Sequence, residues 1–180
     1  MNIHLHNRQR RLAIQRTVCL QLARRLMRKT QALNPERAWQ ALTILLLDDA
    51  RIASAHAAVF GDPSPTDVIS LAYRPLPGGH GWTAEVLINV EQACREGVRR
   101  AGGIARELAL YLAHGCDHLS GADDATPQER RRMRRRENMW LAEPAIRSLW
   151  SQLIQRPPER LRHLTRASRR RRRQVEPIAL

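Results

Sequence analysis

The stretch that most restricts how this chain can fold is Ala41 to Leu47, ALTILLL, apolar except for Thr43. A run of that length suits a strand better than a helix, and one with no polar side to offer water belongs inside a sheet. Other elements must cover it, and the flanking pattern supplies both kinds. Ile3 to His6 alternates apolar and polar like a short strand, whereas Arg11 to Lys29 sets Ile14, Val18, Leu22 and Leu26 at four-residue intervals, the spacing of one helix face. Asn34-Pro35 ends that helix. Asp48 and Asp49 suit a second helix start, with Ile52, Ala55, His56 and Val59 following on one face. After the turn Gly61-Asp62-Pro63-Ser64-Pro65, strands are expected at Val68 to Leu71 and Glu85 to Val90, around a loop from Pro75 to Gly81. Helices are expected over Glu91 to Arg100, Ile104 to Leu119 and Pro127 to Ala142, with a short one around Ala145 to Gln155. The mixture predicts an α+β or α/β arrangement: one layer of sheet with helices packed on it.

At 180 residues and 43% hydrophobic composition, one domain with a real core is the natural expectation, and collagen-like, wholly disordered and disulfide-scaffold classes are excluded. The longest apolar stretches are far too short to span a bilayer. MNIHLHNRQRR at the start has no long apolar segment behind its charges and does not read as a secretory signal. Cys19, Cys94 and Cys116 are odd in number and lack CxxC spacing, which fits a reducing cytoplasm.

Charge points to a polyanionic partner: 31 Lys+Arg oppose 17 Asp+Glu, for a net +14. Lys29 is the only lysine, so the excess is almost wholly guanidinium, suited to bidentate contacts with phosphates. Half of it, nine arginines against two glutamates, lies in residues 156–180. The chain thus divides into a domain over 1–155 and an arginine-rich tail over 156–180, expected to be disordered and to act as a nonspecific RNA or ribosome tether. A second run, Arg130, Arg131, Arg132, Arg134, Arg135 and Arg136 around Met133, follows Thr126-Pro127 with Glu129 in the first turn, a well-formed helix start. A charge run is ordinarily a solvated face; its place directly after the residues discussed next favours a wall that holds phosphates.

The densest chemistry lies in Arg106 to Asp124, RELALYLAHGCDHLSGADD. On a helix from Ile104, residues Ile104, Leu108, Tyr111, Leu112 and Leu119 make one broad face, with Glu107, His114 and His118 along its edge. Imidazoles at i and i+4 project together at a separation that one tetrahedral ion can bridge. Gly121 permits a left-handed turn that returns Asp123 or Asp124 towards the same ion. Three protein ligands leave zinc an open position. In metzincin-type proteases the first histidine is followed by a glutamate base; here that position is Gly115, which disfavours peptide hydrolysis.

These residues resemble the YbeY family of bacterial rRNA maturation factors, metal-dependent single-strand endoribonucleases with an R-E-L helix start and an H-G-x-L-H-x-x-G-Y-D-H signature. Arg106-Glu107-Leu108, His114-Gly115, His118-Leu119, Gly121 and Asp123 agree, while the third family ligand, a histidine, falls on Asp124. Asp117 replaces a usual leucine and Ala122 a usual tyrosine. Pro65-Thr66-Asp67-Val68-Ile69-Ser70-Leu71 is similar to the family's P-T-D-V-L-S-F strand, and Ala84 to Ile88 more faintly to its G-D-I-x-I strand. The resemblance covers roughly residues 3 to 142 and implies an α+β fold with a mixed four-stranded sheet and the ligand helix packed against it. It also implies one zinc ion per chain on His114, His118 and Asp124, the two histidines acting catalytically through the metal. Glu107 and Asp123 would orient ligands from behind, and His56 is a further catalytic candidate. The implied partners are rRNA and the ribosomal particle in the cytoplasm, with no membrane and no DNA specificity. Phe60 stands where the family commonly has an arginine. The rival readings are a non-catalytic RNA-binding ribosome-assembly factor with a structural metal and, less favoured, a divergent zinc protease.

Overall fold

A computed structural model describes residues 1–155 apart from Leu76; the arginine-rich tail lies outside the described residues. Four strands, β1 (Asn2–Asn7), β2 (Trp39–Leu47), β3 (Val68–Tyr73) and β4 (Trp82–Asn89), form one mixed sheet in the order β1-β2-β4-β3. β1 and β4 run parallel to β2, and β3 is antiparallel to β4. The helices are α1 (Arg16–Leu33), α2 (Asp49–Phe60), α3 (Val90–Gly97), α4 (Gly103–Leu119), α5 (Pro127–Ala142) and α6 (Pro144–Trp150). The fold is α+β, and the ALTILLL run is the interior strand that its composition demands.

Alternation along the strands makes two cores. Leu42, Ile44 and Leu46 of β2, with Ala84, Val86 and Ile88 of β4, turn to the larger one, shared with α1 and α4. Leu47, Ile69 and Leu87 turn the other way onto Ile52 of α2. Burying each such Leu, Ile or Val contributes roughly 1.5–3 kcal/mol, so the larger core dominates the fold. It is also the face that carries α4.

Several boundaries differ from the sequence expectation, and three of the shifts have a visible cause. α1 starts at Arg16, not Arg11, because the buried Gln9 side chain gathers the preceding loop. Its Oε1 accepts from the amides of Arg11 and Leu12, and its Nε2 donates to Asn7 Oδ1 and the Leu12 carbonyl. Ile14 leaves the expected helix stripe and bridges Ile154 instead, with the Gln15 amide donating to Leu153 and the Gln155 amide to Ala13. α6 consequently stops at Trp150, and the chain up to Gln155 is fastened to the domain. Val90, expected to close β4, opens α3, since Asn89 caps that helix through a bond from the Gln92 amide.

Candidate metal centre

α4 carries the site, and its packing explains why it can. The expected face of Leu108, Tyr111, Leu112 and Leu119 is inside, but burial extends to Ala109, Leu110, Ala113 and Cys116, because the sheet covers one side and helices the others. Gly115 sits close against the sheet: a Cβ there would lie 2.7 Å from Val86 Cγ1 and 3.0 Å from Ser70 Oγ. A glutamate, as in a metzincin site, has no room. The carbonyls at the end of α4 and its cap receive donors from the last turn of α1 and the segment that follows it. Thr30 Oγ1 donates to Cys116 O at 2.8 Å, Arg37 Nη1 to Leu119 O at 3.1 Å and Asn34 Nδ2 to Ser120 O at 3.2 Å. Gly121, with φ 96°, then turns the chain back, as only glycine does cheaply.

That turn brings the three expected ligands together. His114 Nε2 and His118 Nε2 are 3.2 Å apart, and Asp124 carboxylate oxygens lie 3.9 Å from the first and 4.0 Å from the second. Donors each about 2.0–2.1 Å from a tetrahedral zinc stand roughly 3.3 Å from one another, so the imidazole pair already has that spacing. The far side of each ring fixes its proton. His114 Nδ1 lies 2.6 Å from Glu137 Oε1 and His118 Nδ1 lies 3.1 Å from the Ala122 carbonyl. A carboxylate and a carbonyl can only accept, so both Nδ1 atoms carry hydrogen and both Nε2 lone pairs point at each other and at Asp124. Three electron-rich atoms converging in this way could hold a metal ion, and the donor set of two nitrogens and one oxygen fits zinc. Burial would lower the His114 pKa, but the bond to Glu137 and the charges of Glu137, Asp67 and Asp124 outweigh it and the net shift is upward.

Glu137 is the functional residue that sequence reading missed. Glu107, expected to orient a ligand ring, instead holds Arg100 Nη1 at 2.5 Å, two helical turns before His114. Orientation of His114 falls to Glu137, an acid buried on α5. A signal for it exists: Met133, Glu137, Trp140 and Leu141 are spaced as one inward helix face, and all four are buried. Asp123 contacts no imidazole; its Oδ1 accepts the Asp124 amide at 2.8 Å and shapes the turn. His56 Nδ1 bonds the Ser64 carbonyl at 2.9 Å and its ring meets Phe60 edge to face, contacts that secure the turn before β3. Phe60 itself is 60% exposed.

The six arginines of α5 do not form one wall. Arg136 is withdrawn from it: Nε and Nη2 grip the fully buried Asp117 at 2.8 Å each. Burial raises the Asp117 pKa and outweighs the opposing bond and charge of Arg136. Arg130 Nη1 donates to the carbonyls of Asp124 and Ala125 and braces the ligand turn. The Thr126–Glu129 capping box starts α5 immediately after that turn. Arg131, Arg132, Arg134 and Arg135 are exposed. Thr66 and Asp67 line a cavity of about 390 Å³ with Tyr111, Arg100 and Arg134.

The family model described as Endoribonuclease YbeY matches residues 4–144. The chain belongs to the YbeY family. The Endoribonuclease YbeY of Thermobifida fusca is 36% identical over 108 residues, 56% of this chain and 70% of that protein. The one of Mycolicibacterium gilvum is 31% identical over 137 residues, 71% of this chain and 77% of that one. The one of Anaeromyxobacter is 36% identical over 101 residues, so the chain spans about half, 53%, of that relative's length. For the YbeY protein of Chlamydia abortus the share is 65%. A solution structure from Thermotoga maritima aligns at a TM-score of 0.49 with 16% identity, over 83% of this chain and 89% of that one. No described helix is long and apolar enough to cross a membrane.

Proposed function

We propose that this chain is a metal-dependent endoribonuclease that cuts single-stranded RNA in rRNA maturation and ribosome quality control, working in the cytoplasm on rRNA within the ribosomal particle. One zinc ion per chain would be held by His114, His118 and Asp124. The observation that carries the reading is the opposed pair of imidazole lone pairs, 3.2 Å apart and facing a carboxylate, with both protons committed elsewhere. Family membership supplies the reaction class.

When bound, zinc supplies Lewis acidity towards a phosphoryl oxygen and a lowered pKa for water. The chain's own residues do the remaining work. Glu137 keeps the His114 proton on Nδ1, and the Ala122 carbonyl does the same for His118, so neither ring can rotate away from the shared position. Arg134, on the cavity wall that includes Thr66 and Asp67, offsets charge on the phosphodiester. The assembly-factor reading draws support from the exposed phenyl ring at Phe60, where the family commonly carries a guanidinium.

Elemental analysis and a single-stranded RNA cleavage assay on wild type and His114→Ala separate the readings. The nuclease reading expects one metal per wild-type chain, cleavage by wild type only, and neither metal nor cleavage in the variant. Metal-replete wild type that cuts no better than His114→Ala would establish the assembly factor instead, and metal-free wild type removes the ligand assignment.

A further inference from the structure

Resting on the nuclease reading, we infer that the RNA strand approaches the site along a groove between α4, α5 and α6, held by Arg106, Arg134 and Arg147. Three hollows join end to end there. The hollow of about 390 Å³ beside Thr66 and Asp67 shares Arg100 and Arg134 with one of about 660 Å³. That one shares Arg106 and Asn138 with a third of about 320 Å³, which ends at Arg147 and Trp150. Among the described residues, no acid lines the second or third hollow.

The cations along this route are available for phosphate. Arg106 Nη2 is steadied by the neutral amide of Asn138 at 2.7 Å, so its charge is positioned without being cancelled. Arg134 and Arg147 are exposed and make no ion pair among the described residues. Arg100, by contrast, is shared by Glu96 and Glu107. None of the three hollows is lined by His114, His118 or Asp124; the first is tied to them by Asp67, whose charge acts on His114. Arg106, Leu110, His114 and His118 follow each other at four-residue intervals on α4, one continuous stripe. At about 1.5 Å per residue, Arg106 stands roughly 12 Å along the helix from His114. Trp150 closes the far end, its ring fixed by the bond from Nε1 to the Leu141 carbonyl at 2.9 Å. Among the six arginines of α5, Arg134 lines this groove; Arg100 meets it from the α3–α4 connection, Arg106 from α4 and Arg147 from α6.

The test uses the full chain in chelator, so that binding is read without cleavage. Anisotropy of a labelled single-stranded oligoribonucleotide is compared between Arg134→Gln/Arg147→Gln and a charge-matched control, Arg25→Gln/Arg28→Gln, on the exposed side of α1. The groove variant is expected to bind about tenfold more weakly, with the slope of log K against log salt smaller by about 1.4, two phosphates at about 0.7 each. The control is expected to change less than threefold. Equal losses in the two variants overturn the groove in favour of diffuse attraction. A thiouridine-substituted strand gives the second reading: photocrosslinks should fall on peptides spanning 100–111 and 134–150, and crosslinks confined to α1 or α2 overturn the proposal. If wild type neither binds nor, with metal restored, cuts RNA, the nuclease reading fails; if wild type cuts RNA but the variant behaves as the control, the groove alone fails.

Discussion

His114 and His118 stand one turn apart on the same helix, yet they are held in unlike ways. His118 is oriented by a carbonyl four residues further along its own chain, delivered by the Gly121 turn. His114 is oriented by Glu137, 23 residues away on another helix, buried and flanked by the Asp117–Arg136 pair. One support is local backbone; the other requires that charged groups be buried at the α4–α5 contact and neutralised there. The contrast predicts that the site fails first from the α5 side.

The largest effect should come from Arg136→Ala, which leaves Asp117 buried without its cation. Losing one partner of such a pair costs about 3 kcal/mol. Thermal unfolding should show a large drop in Tm, and Asp117→Leu/Arg136→Met should recover most of it; an unchanged Tm in Arg136→Ala would show that this contact does not hold α5 in place. Glu137→Gln keeps the shape but removes the charge behind His114, and metal affinity should fall about 10- to 100-fold in a chelator competition. Gly121→Ala addresses the other support. The nearest atoms to an added Cβ are 3.9 Å and 4.0 Å away, so the cost is conformational, about 1–2 kcal/mol for a left-handed residue. Its effect on metal affinity should be smaller than that of Glu137→Gln; the reverse order would make the turn the dominant support.

The smallest effect lies away from both. Asp49 is held at a pKa of about 2, chiefly by its bonds from Arg95, against an ordinary value of 3.8. Because the folded value is the lower one, this stabilisation is complete above about pH 4 and is lost as pH falls through about 2. With the pair part-exposed, solvent screening limits it to about 1 kcal/mol at most. Comparing Asp49→Asn with wild type in acid unfolding should show the difference closing below that window, whereas metal affinity of the variant at neutral pH should be unaltered.

The same division governs what could be read from the chain in advance. Features carried by local rules were legible: the interior strand at Ala41 to Leu47, the helix start at Thr126-Pro127, and a ligand turn at Gly121 that returns Asp124 to the histidines. Side chains whose partner lies far along the chain were not. Glu107 looked suited to a ligand ring from its place on the helix, but Arg100 reaches it first. Arg136 read as part of a basic surface because nothing local marks Asp117 as its buried partner. Ile14 fits a helical stripe, and only the return of Ile154 draws it into a bridge. In each case the competing contact is tertiary, and periodicity carries no information about it.

The close seat of Gly115 against Val86 and Ser70, together with the donors from Thr30, Asn34 and Arg37, has a mechanical consequence. α4 is keyed to the sheet at one point and moored at its end, so the two imidazoles ride on a stiff base. The Asp124 carboxylate is carried by a turn instead, 3.9 Å and 4.0 Å from the imidazole nitrogens, so of the three it departs most from the spacing that one shared ion needs.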